Sequence, residues 1–140
     1  MRVQATFSNL LGTVTASHIH CCTASPLTGT AGVATTTPTF PGFPSGVTSG
    51  SYDNTFDMTL ASSFNPTFVT NNGGTVAAAR AVFFAGIAGG NTYFNIHSSS
   101  FGGGEIRGFL VPTPEPASLL VVGAALAGLA YRRMRSALGV

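Results

Sequence analysis

The feature that most constrains this chain is an apolar segment near its C-terminus. Residues 117–131 read ASLLVVGAALAGLAY, and the arginines Arg132, Arg133 and Arg135 follow them. As a helix, these 15 residues would be roughly 22 Å long, whereas the hydrocarbon core of a bilayer is roughly 30 Å thick. By length alone, a membrane helix and a buried C-terminal helix are equally good interpretations.

Two further features favour the membrane helix. The segment is apolar on every face, without the polar stripe of a surface helix, and the arginine cluster after it favours the cytoplasmic side of a bilayer. The prolines before it form a stiff, non-helical joint, so everything before Pro112 would lie outside. We therefore predict a β domain over 1–111 and a tail over 112–140, divided into a motif (112–118), an apolar helix (117–131) and a basic end (132–140).

The charges of the domain exclude a nucleic-acid partner. Charged residues are 7% of the chain, against about 25% in an average globular protein. Up to Val111 they are three of each sign: Arg2, Arg80, Arg107, Asp53, Asp57 and Glu105. Because phosphate binding needs a basic face and this domain is neutral, we expect no nucleic-acid binding.

The pattern of the domain predicts short β-strands separated by turns. Alternation of polar and apolar residues predicts strands over 2–8, 13–20, 52–60, 92–97 and 105–111. In the third strand Tyr52, Phe56, Met58 and Leu60 would face inwards, while Asp53, Thr55, Asp57 and Thr59 would face the solvent. Residues 28–51, rich in Gly, Pro and Thr, predict a loop that Phe40 and Phe43 attach to the core.

Residues 76–85 predict the one short helix of the domain, ending at Gly86. The predicted fold is therefore mainly β, an antiparallel β-sandwich or barrel-like domain with one short helix, followed by a single C-terminal hydrophobic helix. The five strands are fewer than a closed sandwich usually has, and residues 1–17 lack the apolar run of a signal peptide. We therefore expect the natural start to lie upstream and the domain to be N-terminally incomplete.

Two groups of motifs resemble known families. Pro114, Glu115 and Pro116, followed by the apolar segment and the arginine cluster, resemble the PEP-CTERM sorting signal of Gram-negative bacteria. The stretches ASHIH (16–20), YFNIH (93–97) and GEIRGFL (104–110) resemble the CHRD domain, which is named after chordin and occurs in many bacterial secreted proteins.

The first resemblance implies recognition by an exosortase, a membrane protease-transpeptidase of species that make exopolysaccharide. It also implies anchorage in the inner membrane before processing, and a cell-surface or extracellular location afterwards. The second resemblance implies no particular activity. A non-catalytic structural or binding module, with exopolysaccharide as a partner, is the leading interpretation, and a degraded gene fragment without function is another.

The histidines provide a further alternative, a metal-binding domain with or without redox activity. His18 and His20 are two residues apart on a predicted strand, so their imidazoles point the same way, and His97 comes from another strand. Together they could hold copper or zinc, with Cys22 or Glu105 as a fourth ligand; copper–zinc superoxide dismutases use a similar His-x-His strand. Alternatively, the histidines bond backbone groups and fix a loop.

The remaining polar residues predict no enzyme. Residues 42–46 read GFPSG, with the serine one place too late for a nucleophile elbow. Glu105 and Arg107 share a face of the last strand and predict an exposed ion pair. Cys21 and Cys22 are adjacent, so an ordinary disulfide between them would be strained; metal binding, a redox-labile bond, bonds to upstream cysteines and two half-buried thiols all stay open.

Overall fold

Five strands form two antiparallel sheets in the computed structural model, which describes residues 1–113. The order of elements is β1 (Arg2–Phe7), β2 (Val14–Cys21), β3 (Gly50–Thr55), a 3₁₀ turn (Ala61–Ser63), α1 (Pro66–Asn71), α2 (Val76–Ala88), β4 (Thr92–Ser98) and β5 (Ile106–Phe109). One sheet has the order β1-β3 and the other the order β2-β4-β5. The mainly β prediction is therefore confirmed.

The predicted tail features lie outside the described residues. They are the motif Pro114, Glu115 and Pro116, the apolar helix over 117–131 and the arginines Arg132, Arg133 and Arg135. Among residues 1–113, no helix combines the length and the apolar character needed to cross a bilayer.

The two-stranded sheet follows the alternation of its sequence. Val3 and Phe7 of β1 and Tyr52 of β3 are buried, whereas Arg2 and Asp53 are exposed on the other face. Asp53, predicted as a solvated charge, accepts hydrogen bonds from the Arg2 guanidinium at 2.8 and 2.6 Å. Because both side chains are exposed, this ion pair adds little to stability.

The three-stranded sheet has two chemically different faces. In its register His18 lies opposite Asn95, His20 opposite Tyr93, and Asn95 opposite Arg107. Residues directly opposite each other share a face, so these side chains lie together on what we call the histidine face. The intervening residues Ile19, Phe94 and Ile96 form the core face of the same sheet.

Aromatic side chains from the long loop complete the core, as predicted. Phe40 is fully buried and Phe43 is 6% exposed. The ring of Phe43 stacks on Phe7 of β1 with the ring centroids 5.6 Å apart. Phe40 stacks on Phe94 of β4 with the ring centroids 6.1 Å apart, so the loop over 28–51 is attached to both sheets through its phenylalanines.

The prediction of a single short helix is wrong, because the described residues contain two α-helices. Sequence reasoning missed α1, which begins with Asn65 accepting a hydrogen bond from the Thr67 N–H and with Pro66 at the first helical position. This cap-and-proline pair is a recognisable start signal. The helix is only 6 residues long, so its hydrophobic period is too short to be seen.

The predicted end of α2 at Gly86 is also wrong. The helix continues to Ala88, and Gly89 and Gly90 follow it. Gly86 lies inside the helix, where an added Cβ would be 2.6 Å from the Cys22 Sγ and 2.7 Å from the Cys21 Sγ. The glycine is therefore required by close packing against these sulfurs, and its position does not mark the helix end.

The strand predicted over 52–60 ends early, at Thr55. The Asp57 carboxylate accepts hydrogen bonds from the Thr59 N–H at 2.9 Å and from the Thr59 hydroxyl at 2.6 Å. The Leu60 N–H donates to the Asp57 carbonyl, which closes a turn. Leu60, predicted to face inwards, is consequently 53% exposed, while Met58 is buried as predicted.

Candidate functional site

Three histidines converge on the histidine face of the three-stranded sheet. His18 and His20 come from β2 and His97 from β4, and one ring nitrogen of each lies within 4.8 Å of the others. The register explains this meeting, because His97 pairs with Ala16 and is therefore the diagonal neighbour of His18. The first two histidines are buried, and the third is partly buried.

A backbone carbonyl fixes the orientation of each of these rings. The Nδ1 atoms of His18, His20 and His97 lie 3.0, 2.8 and 2.8 Å from the carbonyl oxygens of Pro38, Ala31 and Gly102, respectively. Since a carbonyl only accepts, each Nδ1 carries the proton and donates it. A neutral imidazole with a protonated Nδ1 has a lone pair on Nε2, and metal-ligating histidines are held in this way.

The Nε2 atoms of the three rings are the ones that no backbone carbonyl engages. The Nε2 atoms of His18 and His97 are 2.9 Å apart, and the Nε2 of His20 is buried without a hydrogen-bond partner in the part of the chain that the structure describes. Two lone pairs at hydrogen-bond distance repel unless a proton or a cation lies between them. A buried acceptor without a partner is also unfavourable. The arrangement is therefore suited to a positively charged ligand.

The surroundings favour neutral histidines. The pKa of His18 is lowered to about 4, mainly by burial. The hydrogen bond to Pro38 raises this pKa, while the nearby His20 and His97 lower it further. Burial also lowers the pKa of His20, with smaller contributions from His97 and Arg107. At neutral pH the lone pairs of these two rings are consequently available for a ligand.

An aromatic and cationic layer covers one side of His20. Its ring stacks on Tyr93 with centroids 4.6 Å apart and planes within 6°. The guanidinium of Arg107 lies 5.2 Å from the centroid of the Tyr93 ring and donates to the carbonyl of Gly29 at 3.1 Å. The predicted ion pair of Arg107 with Glu105 is therefore wrong, because Arg107 bonds to Gly29 in the loop over 28–51.

Asn95 connects the histidines to the β4–β5 turn. Its Nδ2 donates to His97 Nε2 at 3.3 Å and to the carbonyl of Gly103 at 3.2 Å, while its buried Oδ1 has no partner among residues 1–113. Gly104 has a φ of +115°, and a Cβ there would collide with the Asn95 amide. The Gly-rich turn is therefore shaped around this side chain.

Cys22 and Glu105 are not part of the cluster. Strand β2 ends at Cys21, so the alternation that would align Cys22 with His20 stops there, and the Sγ of Cys22 forms a disulfide with Cys21 next to Gly86. Of the alternatives left open for these two cysteines, the structure has a bond between Cys21 and Cys22, and the peptide bond that joins the two residues is cis.

Glu105 instead connects two turns. Its carboxylate accepts hydrogen bonds from the backbone N–H groups of Leu11 and Gly12 and from the Ser98 hydroxyl. Desolvation raises the pKa of Glu105, but these three hydrogen bonds outweigh it and lower the pKa below the usual 4.5. A carboxylate held in this way between the β1–β2 and β4–β5 connections has a structural role.

A concavity lies away from the histidines, between β1 and the end of β5. It has a volume of about 480 Å³, and Val3, Ile19, Ile87, Phe94 and Phe109 supply much of its apolar lining. No carboxylate, histidine or cysteine lines it. Its lining therefore offers no acid–base or metal chemistry, in contrast to the histidine face.

The sequence predicted the three histidines but missed the residues that surround them. Tyr93, Asn95 and Arg107 were not named as site residues, although Tyr93 and Asn95 alternate with His97 along one strand. The same period of 2 that aligns His18 with His20 could have identified them. The three imidazoles are a donor set that could hold a first-row transition metal such as zinc, copper, iron or nickel.

Comparison with known proteins supports both resemblances noted in the sequence. A family model described as the CHRD domain matches residues 1–110, and a model of the PEP-CTERM protein-sorting motif matches residues 112–135. Neither a curated protein nor a solved structure matches the chain.

Proposed function

Because the chain belongs to the CHRD domain family and carries a PEP-CTERM sorting motif, we propose that it is a non-catalytic structural or binding module of the bacterial cell surface. The sorting motif is the recognition signal for exosortase processing, so the protein is exported, with its tail anchored in the membrane before processing. After processing, the β domain stays at the cell surface or in the extracellular matrix, where exopolysaccharide is its partner.

The observation that carries this proposal is the position of the motif. The match to the sorting motif begins at residue 112, directly after the domain match that ends at residue 110. The arginines at 132, 133 and 135 follow the apolar segment, which is the order required for a tail whose basic end stays in the cytoplasm. A domain that lies before such a segment is delivered to the outer side.

Processing of a tagged protein in its native host tests the proposal. The gene, with its natural start and an epitope tag in the domain, is expressed with and without the exosortase. We expect a shortened, protease-accessible surface form only when the exosortase is present. Glu115→Ala should leave the longer membrane-bound form, whereas the neighbouring Thr113→Ala should be processed normally. Tagged protein that stays in the cytosol of exosortase-containing cells would contradict the proposal.

Metal binding is a second candidate function, favoured by one observation. Three partly or fully buried imidazoles each donate Nδ1–H to a carbonyl and bring one ring nitrogen within 4.8 Å of the others, with the Nε2 atoms of His18 and His97 only 2.9 Å apart. Elemental analysis of the full chain purified in detergent should find a transition metal that His18→Ala loses. A His18→Ala protein with full metal content would rule out this role for the cluster.

A further inference from the structure

We infer that the ion held by His18, His20 and His97 is copper in its monovalent state, Cu(I); this inference rests on the metal-binding function proposed above. Three features of the site carry it: a neighbouring positive charge and, among residues 1–113, the absence of both a negative ligand and a fourth protein ligand. Each feature disfavours a divalent ion more than a monovalent one.

The ligand set is electrically neutral. Of the carboxylates in residues 1–113, Glu105 is bonded to Leu11, Gly12 and Ser98, and the two aspartates lie on or after β3. The thiols of Cys21 and Cys22 are joined in a disulfide. A bound ion therefore keeps its full charge in a partly buried site. Because the desolvation energy of an ion scales with the square of its charge, a monovalent ion costs about a quarter as much as a divalent one.

Arg107 adds a positive charge to the same face. Its guanidinium lies over the ring of Tyr93, and that ring stacks on His20. Within the described range it has no carboxylate partner, since its hydrogen bond goes to the carbonyl of Gly29. The repulsion between this guanidinium and a bound ion doubles when the charge of the ion rises from one to two.

The coordination number points the same way. A structural zinc site takes four protein ligands, and zinc held by three histidines adds a water to complete its tetrahedron, whereas calcium and magnesium take oxygen ligands. The neighbouring polar group, Asn95, directs its Nδ2 donor towards His97 Nε2 at 3.3 Å, and a donor cannot bind a cation. As a d10 ion of low charge, Cu(I) is stable with three ligands and needs no added water. Imidazole suits copper as well as zinc, so the preference for Cu(I) comes from charge and coordination number and not from the type of donor atom.

Competition for Cu(I) and Zn(II) tests the inference. The full chain is purified in detergent, kept under ascorbate, and titrated against bicinchoninate for Cu(I) and against a chromophoric chelator for Zn(II). We expect one equivalent of Cu(I) per chain, with an affinity at least about tenfold above that for Zn(II). X-ray absorption at the copper edge should show three nitrogen ligands and no sulfur.

Matched variants locate the binding. His97→Ala and His20→Phe should each weaken Cu(I) binding by about tenfold or more, whereas Asp57→Asn, which alters an exposed carboxylate in another part of the domain, should not change it. The phenyl ring of His20→Phe keeps the stack on Tyr93, so this variant tests the ligand even if His97→Ala folds poorly. Circular dichroism of each variant confirms the fold.

The remaining outcomes separate the two claims. Stoichiometric Zn(II) that depends on the histidines, with weaker Cu(I), would overturn the copper inference and leave the metal-binding function standing. Binding of neither ion would overturn both. Cu(I) binding that survives in both histidine variants would also overturn the inference, because the ion would then be held elsewhere.

A change of charge at Asn95 sharpens the test. Asn95→Asp places a carboxylate beside His97 and supplies the negative charge that the site lacks. If charge decides the selectivity, the ratio of Cu(I) to Zn(II) affinity should fall by about tenfold or more in this variant. An unchanged ratio in a folded protein would contradict the electrostatic argument.

Discussion

The two faces of the β2-β4-β5 sheet are built from the same strands but follow different rules. On the core face, Ile19 and Ile96 are each 2% exposed and pack against apolar side chains. On the histidine face, His18, His20 and Asn95 are buried almost as deeply, and two of them hold polar atoms without partners among residues 1–113.

This difference separates stability from the proposed binding function. Burying an apolar side chain lowers the free energy of the folded state, so the core face needs no further explanation. Burying an unpaired nitrogen or oxygen raises that free energy, a cost that the proposed metal ion would offset at His20. We therefore expect substitutions on the core face to reduce stability more than binding, and substitutions of the histidines to reduce binding more than stability.

The largest effect on stability is expected on the core face. Ile96→Ala should lower the free energy of unfolding by about 2–5 kcal/mol, because it removes a fully buried side chain and leaves a cavity. Its partner across the β4–β5 pair, Ile106, is 40% exposed, so Ile106→Ala is the control and should cost much less. Urea unfolding of both variants measures the difference. Equal losses of free energy of unfolding would contradict the claim that burial on the core face stabilises the domain.

An intermediate effect is expected where the turn meets the histidine face. Gly104→Ala should destabilise the protein by about 1–3 kcal/mol, since its positive φ disfavours a side chain and the new Cβ would displace the Asn95 amide. Gly103→Ala is the control, because a Cβ there meets nothing within 4 Å. If thermal unfolding does not separate the two variants, the turn is not shaped around Asn95.

A small effect is expected at His20 in metal-free protein. His20→Phe loses the bond to Ala31 but also removes the unpaired Nε2, so stability should change by less than about 1 kcal/mol. Added Cu(I) should raise the melting temperature of the parent chain and leave that of the variant unchanged, because a ligand at 100 times its Kd contributes about 2.7 kcal/mol. A large loss in the metal-free variant would make His20 a structural residue.

The smallest effect is a pH dependence from Glu105. Its pKa in the folded state lies below the usual 4.5, so its contribution is present above the unfolded pKa and is lost as pH falls through the folded pKa. The stability difference between the parent chain and Glu105→Gln should therefore shrink as the pH drops below 4.5. Thermal melts of both proteins from pH 7 to pH 3 measure it; a pH-independent difference would contradict this assignment.

Sequence reasoning reached the parts of this protein that depend on neighbouring residues. The period of 2 predicted a mainly β domain and placed His18 beside His20, because alternation is a property of the extended backbone itself. The order of motif, apolar segment and arginines likewise predicted the sorting tail. The turn at Asp57 was missed because hydrogen bonds to its carboxylate end a strand that the alternation of residues would continue. The helix α1 was missed because its 6 residues are too few to show a helical period.

Only the tertiary structure decided what surrounds the histidines. His97 meets His18 across 79 residues of sequence because of the β2–β4 register, and the carbonyls that fix the rings come from separate loops. The Glu105 carboxylate accepts hydrogen bonds from the N–H groups of Leu11 and Gly12, so it is neither a member of the histidine cluster nor the partner of Arg107. Pairing over such distances depends on the packing of the whole domain, and a local pattern of residues contains no information about it.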